Sequence, residues 1–432
     1  MNNLNRHQMP AAGSAAAEQW LQRSGNLNRA IDLQPAWNRL LLTMKREAKT
    51  LRDGPPRMFL HFTVEDRWEL LDVDRVSRLL DSRYEHGNWT AGFSIGLLWL
   101  NALNSEGIPS NDGESAARTA RRRLEVLATR ADDHTTHDLG FLFYPSYAFG
   151  QLLGHLNSDD VKPALQAARQ LASRYNPRTQ LLQAFGPIGH RELAGTSTID
   201  TMMNLPLLFW AGAHGGDPLL LDIARRHARS SARLYFRADG STYHLLTLDP
   251  ISGALLKRGT FQGAGDESCW SRGQAWATCG FAWAFGMTGE WELLEAAERA
   301  ATYFLERLPE TAIPPWDFTT VNEDTKDASA SAAVALGCLI LAELHPDREG
   351  GMFYKKAGNA ILDILSGTCL NSDPNRDGIL QHSCYSKPHD LGTDSATGWG
   401  DFFFSLALAV AAGRLPVRVL LNGLVKLSGG CS

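Results

Sequence analysis

The sequence predicts an all-α protein, six helical hairpins closed into an (α/α)6 barrel, with one short β-hairpin inserted. Three observations carry that expectation. Long amphipathic segments alternate with segments apolar nearly all round, the apolar ones are interleaved with Gly, Ala and Ser, and their starts are unevenly spaced. The amphipathic segments are Pro35–Arg52, Glu114–Arg130, Asp160–Arg174, Pro218–Tyr235, Trp291–Leu308 and Gly350–Ser366. Each has a helical apolar period and one face rich in Arg and Glu, as for a helix with one wet side. The apolar segments are TAGFSIGLLWLNAL, LGFLFYPSYAFGQLL, TMMNLPLLFWAGA, GQAWATCGFAWAFGM, ASASAAVALGCLILAEL and DFFFSLALAVAA. Helices apolar on every side are buried, and their small residues let neighbours approach closely. An open helical solenoid would show a fixed repeat. Here the inner starts, near Ala91, Leu139, Thr201, Gly273, Ala328 and Asp401, lie roughly 50 to 75 residues apart with no set period.

The remaining elements fall around this ring. Gly240–Gly263 alternates apolar and polar residues about a Pro-Ile-Ser-Gly turn, which predicts a β-hairpin at the rim, as a lid or binding edge. Residues 1–30, rich in Ala, Asn and Ser at their start, read as a loose lead-in, and 31–432 as one domain. The chain of 432 residues is 44% apolar and 21% charged, enough to build a core without staples. Its net charge of −5 gives no general attraction for polyanions, so nucleic acid is not an expected partner. An acidic ligand would need a local basic pocket. The six cysteines lie in the C-terminal half with no CxxC spacing and read as reduced core or loop thiols. No apolar leader opens the chain and no long apolar run exists to span a membrane, so a cytoplasmic location is expected.

In such an alternation all inner helices start at one end of the ring. Polar residues before those starts therefore converge: Asn88 and Trp89, His137 and Asp138, Asp200, Arg272, Asp327, and Gly400 with Asp401. For any single Asp or Asn the plain reading is helix capping. Asp138, in HDLGFLFYPSY, and Asp200, in TSTIDTMMNLPLLFWA, differ because bulky apolar residues flank them. Burial in an apolar funnel raises a carboxyl's pKa, which keeps it protonated and able to act as an acid. His134 and His137 have an i,i+3 spacing, yet no third ligand accompanies them, so no metal is expected. No nucleophile elbow, Walker loop or dinucleotide fingerprint is present, and no cofactor is implied.

These same residues carry a resemblance. NWTAGF (88–93), HDLGF (137–141), IDTMMNLPLLFWA (199–211), YH with GTFQG and SRGQAW (243–276), PPWDF (314–318), DASASAAVA (327–335) and GWGDFFF (398–404) occur together and in order. In this combination the chain resembles the unsaturated glucuronyl hydrolases, glycoside hydrolase family 88. The resemblance implies an enzyme on an (α/α)6 barrel that takes unsaturated uronic acids from lyase-cut oligosaccharides. It implies Asp200 as general acid/base, Asp138 as its partner on the sugar hydroxyls, and Trp89, His244, Gln262, Arg272 and Trp276 as pocket residues. Two positions depart from the family pattern. Phe261 stands where His often precedes the matched Gln, and Phe185 where Trp is common. Both departures bear on which sugar is preferred rather than on the reaction. The rivals are a hydrolase of unsaturated rhamnogalacturonyl pectin fragments, a sugar epimerase on the same barrel, and a non-catalytic carbohydrate-binding toroid.

Overall fold

A computed structural model describes residues 15–75, 87–103, 111–320 and 324–421. After α1 (Ala15–Arg23), helices follow in pairs. These are α2 (Gln34–Asp53) with α3 (Ala91–Leu103), and α4 (Asn111–Leu127) with α5 and α6 (Leu139–Phe143 and Phe149–Leu152). Next come α7 (Lys162–Ser173) with α8 (Leu205–Gly215), and α9 (Pro218–Leu234) with α10 (Ser271–Thr288). The series ends with α11 (Trp291–Arg307) and α12 (Ala328–Leu344), α13 (Arg348–Thr368) and α14 (Gly398–Ala411), then a short α15 (Val417–Leu420). The second member of each pair is the buried one. Every residue of Ala91–Ala102, Ser271–Phe285 and Ala328–Leu341 is hidden from solvent. Each inner helix packs on the next, and α14 packs back on α3, so the ring closes.

Small residues set the spacing of that ring. A methyl group at Gly92 of α3 would lie 2.2 Å from the Phe141 carbonyl oxygen and 2.4 Å from that of Leu142. Both are backbone atoms and cannot swing aside. We expect Gly92→Ala to cost about 3 kcal/mol, toward the upper end for overpacking. A denaturant midpoint equal to wild type would show that α3 and α5 have room to part. Within the second inner element, a widened turn over Tyr144–Ala148 takes up Pro145 between α5 and α6.

Three features add to the sequence reading or correct it. Part of the supposed lead-in is ordered: α1 buries Ala17, Trp20 and Leu21 against α11 and α13, and the Trp20 indole donates to the Pro309 carbonyl at 3.0 Å. Those three positions form an i, i+3, i+4 stripe, obscured in the sequence by neighbouring alanines. A hairpin of β1 (Met58–Val64) and β2 (Arg67–Asp72) was not expected. Its turn is Glu65-Asp66, both at positive φ (49° and 63°), where Asn-Gly would have advertised it. Two-residue strands β3 (Tyr175–Asn176) and β4 (Leu181–Leu182) pair beside α7. The expected hairpin is β6 (Leu245–Leu248) with β7 (Leu255–Gly259), and β5 (Thr196–Thr198) joins its edge to make three strands. That sheet carries the chain directly into Asp200. The five described cysteines are buried free thiols, and Cys431 lies outside the described residues.

Candidate active site

The inner-helix starts converge as the alternation requires, and their polar residues divide into two groups. Some cap or brace. Asn88 accepts from the Thr90 N–H (2.8 Å), and Asp327 from the Ser329 N–H (3.1 Å). Asp401 accepts from the N–H groups of Ile379 and Leu380, both at 2.8 Å, and burial holds its pKa well above the usual carboxylate range. Asp138 and Asp200 make no capping bond. Instead both line a cavity of about 490 Å³, counting its open mouth, with His137, Trp89, Phe141, Phe185, Phe261, Gln262, Trp270, Arg272, Tyr385 and Ser386. All of these but Asp200 and Phe261 are buried, so the cavity opens past those two.

Asp200 is the more accessible carboxylate, its side chain 16% exposed, and His244 Nε2 stands 3.5 Å from its Oδ2. That contact is longer than a well-formed hydrogen bond. His244 is held from three sides. Its Nδ1 meets the Thr260 hydroxyl at 2.9 Å, and its ring lies between Phe261 (4.3 Å) and Trp270 (4.5 Å). Burial pushes the Asp200 carboxyl up, but the His244 imidazole beside it and the charge of His137 together bring it below its usual value. This corrects the expectation of a raised pKa: the apolar funnel is present, yet His244 and His137 beside the carboxyl favour the anion. Asp138 accepts from the Thr136 hydroxyl at 3.0 Å, with His137 Nε2 3.4 Å from its Oδ1. His137 Nδ1 in turn meets the Thr201 hydroxyl at 2.7 Å, next in sequence to Asp200.

Arg272 is fully buried, its guanidinium stacked between the rings of Trp270 (4.6 Å) and Trp399 (5.1 Å). One Nη1 bond goes to Asp327 Oδ2 (2.6 Å), another to the Cys384 carbonyl, and Nη2 donates to the Tyr385 carbonyl at 2.6 Å. Asp266 and Glu267, the acidic residues nearest Arg272 in sequence, pair elsewhere, with Lys257 and near Arg237. Nε is buried with no hydrogen-bond partner. It is thus the one nitrogen of the guanidinium that the fold leaves without a partner. Gln262 Nε2 reaches the same Tyr385 carbonyl at 3.2 Å, and the Trp89 indole donates to the Tyr385 hydroxyl at 2.8 Å.

Trp276 does not line the cavity, which corrects its expected place as a pocket residue, and His244 touches Asp200 without lining it. Trp276 lies one helical turn, about 6 Å, beyond Arg272 along α10, 1% exposed beneath Phe141 and Phe403. Conversely, Trp270, Tyr385 and Ser386 line the cavity without having been singled out. Trp270 could have been found as the aromatic just before an inner start. Tyr385 sits in a loop with no periodic signal. Phe185 and Phe261, the two family departures, touch edge to face at 5.5 Å and share an apolar cluster with Leu193 and Leu245. Among the described residues, no group of three or more His, Cys, Asp or Glu could hold a metal ion. No helix there is long and apolar enough to cross a membrane.

The sequence matches no family model. It is 36% identical over 330 residues to an unsaturated glucuronyl hydrolase of Bacillus sp. (strain GL1), covering 75% of this chain and 86% of that protein. It is 33% identical over 338 residues to an unsaturated chondroitin disaccharide hydrolase of Streptococcus pyogenes serotype M1, covering 76% and 83%. The crystal structure of the unsaturated glucuronyl hydrolase from Bacillus sp. GL1 superimposes with a TM-score of 0.77 at 32% identity, covering 87% of this chain and 96% of that one. Likeness to those enzymes in sequence as well as in the helical toroid marks the chain as a glycosidase. It belongs to the unsaturated glucuronyl hydrolase family.

Proposed function

We propose that the protein removes Δ4,5-unsaturated glucuronic acid from the non-reducing end of lyase-generated oligosaccharides, by hydrating the C4=C5 double bond. One observation carries this reading. Asp200 is a carboxylate spent on no cap, at the mouth of an aromatic cavity, with His244 at 3.5 Å and an arginine edge across the site. The substrate is an enol ether conjugated to a carboxylate. Its C4 takes the Asp200 proton with the π electrons, positive character develops at C5 and the ring oxygen, and water adds at C5. The Asp200 carboxylate takes the proton that water sheds. The resulting hemiketal opens at the C5–ring-oxygen bond, and the hemiacetal left at C1 releases the next sugar. One carboxyl serves as acid and then base. Because attack is at C5, the usual carboxylate-separation rule for anomeric displacement does not apply.

The lowered pKa of free Asp200 fits this scheme once the substrate is counted. An incoming uronate adds a negative charge to the cavity, and like charge raises a neighbouring carboxyl's pKa. Protonation of Asp200 is thereby coupled to binding. Asp138, Trp89 and Gln262 would hold the sugar, His244 would act on it through Asp200, and Arg272 would face its carboxylate. Phe261, at the opening, meets the leaving sugar. The test uses lyase-made glucuronyl disaccharides in deuterated water. We expect loss of the conjugated double bond's ultraviolet absorbance, with one deuterium delivered to a single face of C4. Deuterium spread over both faces of C4, or absorbance that persists across the substrate panel, would reject the reading.

A further inference from the structure

We infer that Asp327 is a positioning residue for the reaction, one that fixes the orientation of Arg272 and of the cavity wall at Cys384–Tyr385. The inference rests on the reading above, in which Arg272 faces the substrate carboxylate. Asp327 is completely buried at the start of α12. A helix cap would use one carboxylate oxygen. Oδ1 does this, accepting from the Ser329 N–H at 3.1 Å and the Ser329 hydroxyl at 2.5 Å. Oδ2 has a different task, taking Arg272 Nη1 at 2.6 Å. Oδ1 also receives the Cys384 N–H at 3.2 Å, while Arg272 holds the carbonyls of Cys384 and Tyr385. Two side chains thus grip the segment by its N–H and both carbonyls.

The face of the guanidinium is set by the same residue. The Ser329 hydroxyl bonded to Asp327 accepts the Trp399 indole N–H at 3.1 Å, and Trp399 lies under Arg272. Asp327 therefore controls the arginine in its plane directly and across its face through Ser329 and Trp399. With both degrees of freedom fixed, Arg272 meets the cavity it lines in one orientation. Tyr385 depends on the same grip. Its hydroxyl takes the Trp89 indole, and its ring packs edge-on against Trp399 at 5.0 Å.

Asp327→Asn isolates this role, since Asn caps a helix as well as Asp does. What it removes is the charge facing Arg272. The experiment is a double-mutant cycle with Arg272→Lys, read on an unsaturated glucuronyl disaccharide and normalised to folded protein. We expect Asp327→Asn to raise KM about tenfold or more with a smaller change in kcat, and to add less than about threefold when Arg272 is already Lys. Losses that multiply independently, or a lowered melting temperature with KM unchanged, overturn the inference. If the double variant does not fold, the split in the single Asp327→Asn variant decides. A KM rise with kcat largely kept supports positioning, and any other pattern rejects it. A wild type that turns over no unsaturated uronate removes the underlying reading and this inference with it. An active wild type with independent losses removes the inference alone.

Discussion

Asp200→Asn is expected to lower kcat on the order of 10² to 10⁴-fold while leaving the fold intact. The size follows from asking one group to deliver the proton to C4 and then collect one from water, neither of which an amide can do. Folding survives because the Asp200 side chain makes no capping bond and its nearest charge contact, His244, is a loose 3.5 Å. The pH dependence adds a check with a definite sign. Free Asp200 sits below the usual carboxylate pKa, so above that value the empty site holds the anion. Bound uronate shifts the carboxyl upward, so kcat, which reports the complex, falls on the alkaline side at a higher pH than free Asp200 titrates. The Asn variant should lack that limb in whatever activity remains. Near wild-type turnover by Asp200→Asn would falsify the assignment.

Arg272→Lys is expected to lower kcat/KM by about 1.5–3 kcal/mol, the range for losing a charged hydrogen bond. Lysine keeps the charge but has no planar fork. Arg272 uses its fork on Asp327 and two carbonyls and, under the proposed reaction, also faces the substrate carboxylate. A lysine ammonium cannot do both. Because the inward bonds brace the fold, melting temperature should fall as well. The informative quantity is therefore kcat/KM per folded molecule. If it stays at the wild-type value while melting drops, Arg272 is structural only.

How much of this was legible in the sequence depended on periodicity. The six inner helices announced themselves because burial on every side leaves few charged residues to interrupt the run, and the ring followed from their alternation with wet helices. Asp138 and Asp200 stood out by their apolar flanks, and the structure brings both to one cavity. Direction of ionisation was not legible. His244 lies 44 positions after Asp200 in sequence, just before β6, whose pairing to β5 creates the contact. Trp276 illustrates another gap. It shares the helical face of Arg272, and only depth along α10 separates lining from packing. Tyr385 and the β1–β2 turn were invisible because loops without a period, and turns built from unfavoured residues, carry no local signal.

Among the described residues that line the cavity, all but Asp200 and Phe261 are buried. Under the proposed function, such a pocket would admit a terminus and exclude the middle of a polymer. Under the proposed reaction, velocity would then follow the molar concentration of chain ends, not the mass of polysaccharide supplied. Each endolytic cut made upstream creates one new end, so the pace of degradation is set by whichever enzyme fragments the polymer. This protein would respond in proportion, clearing one terminal residue per encounter and then releasing a shortened chain that it cannot grip again without a fresh double bond.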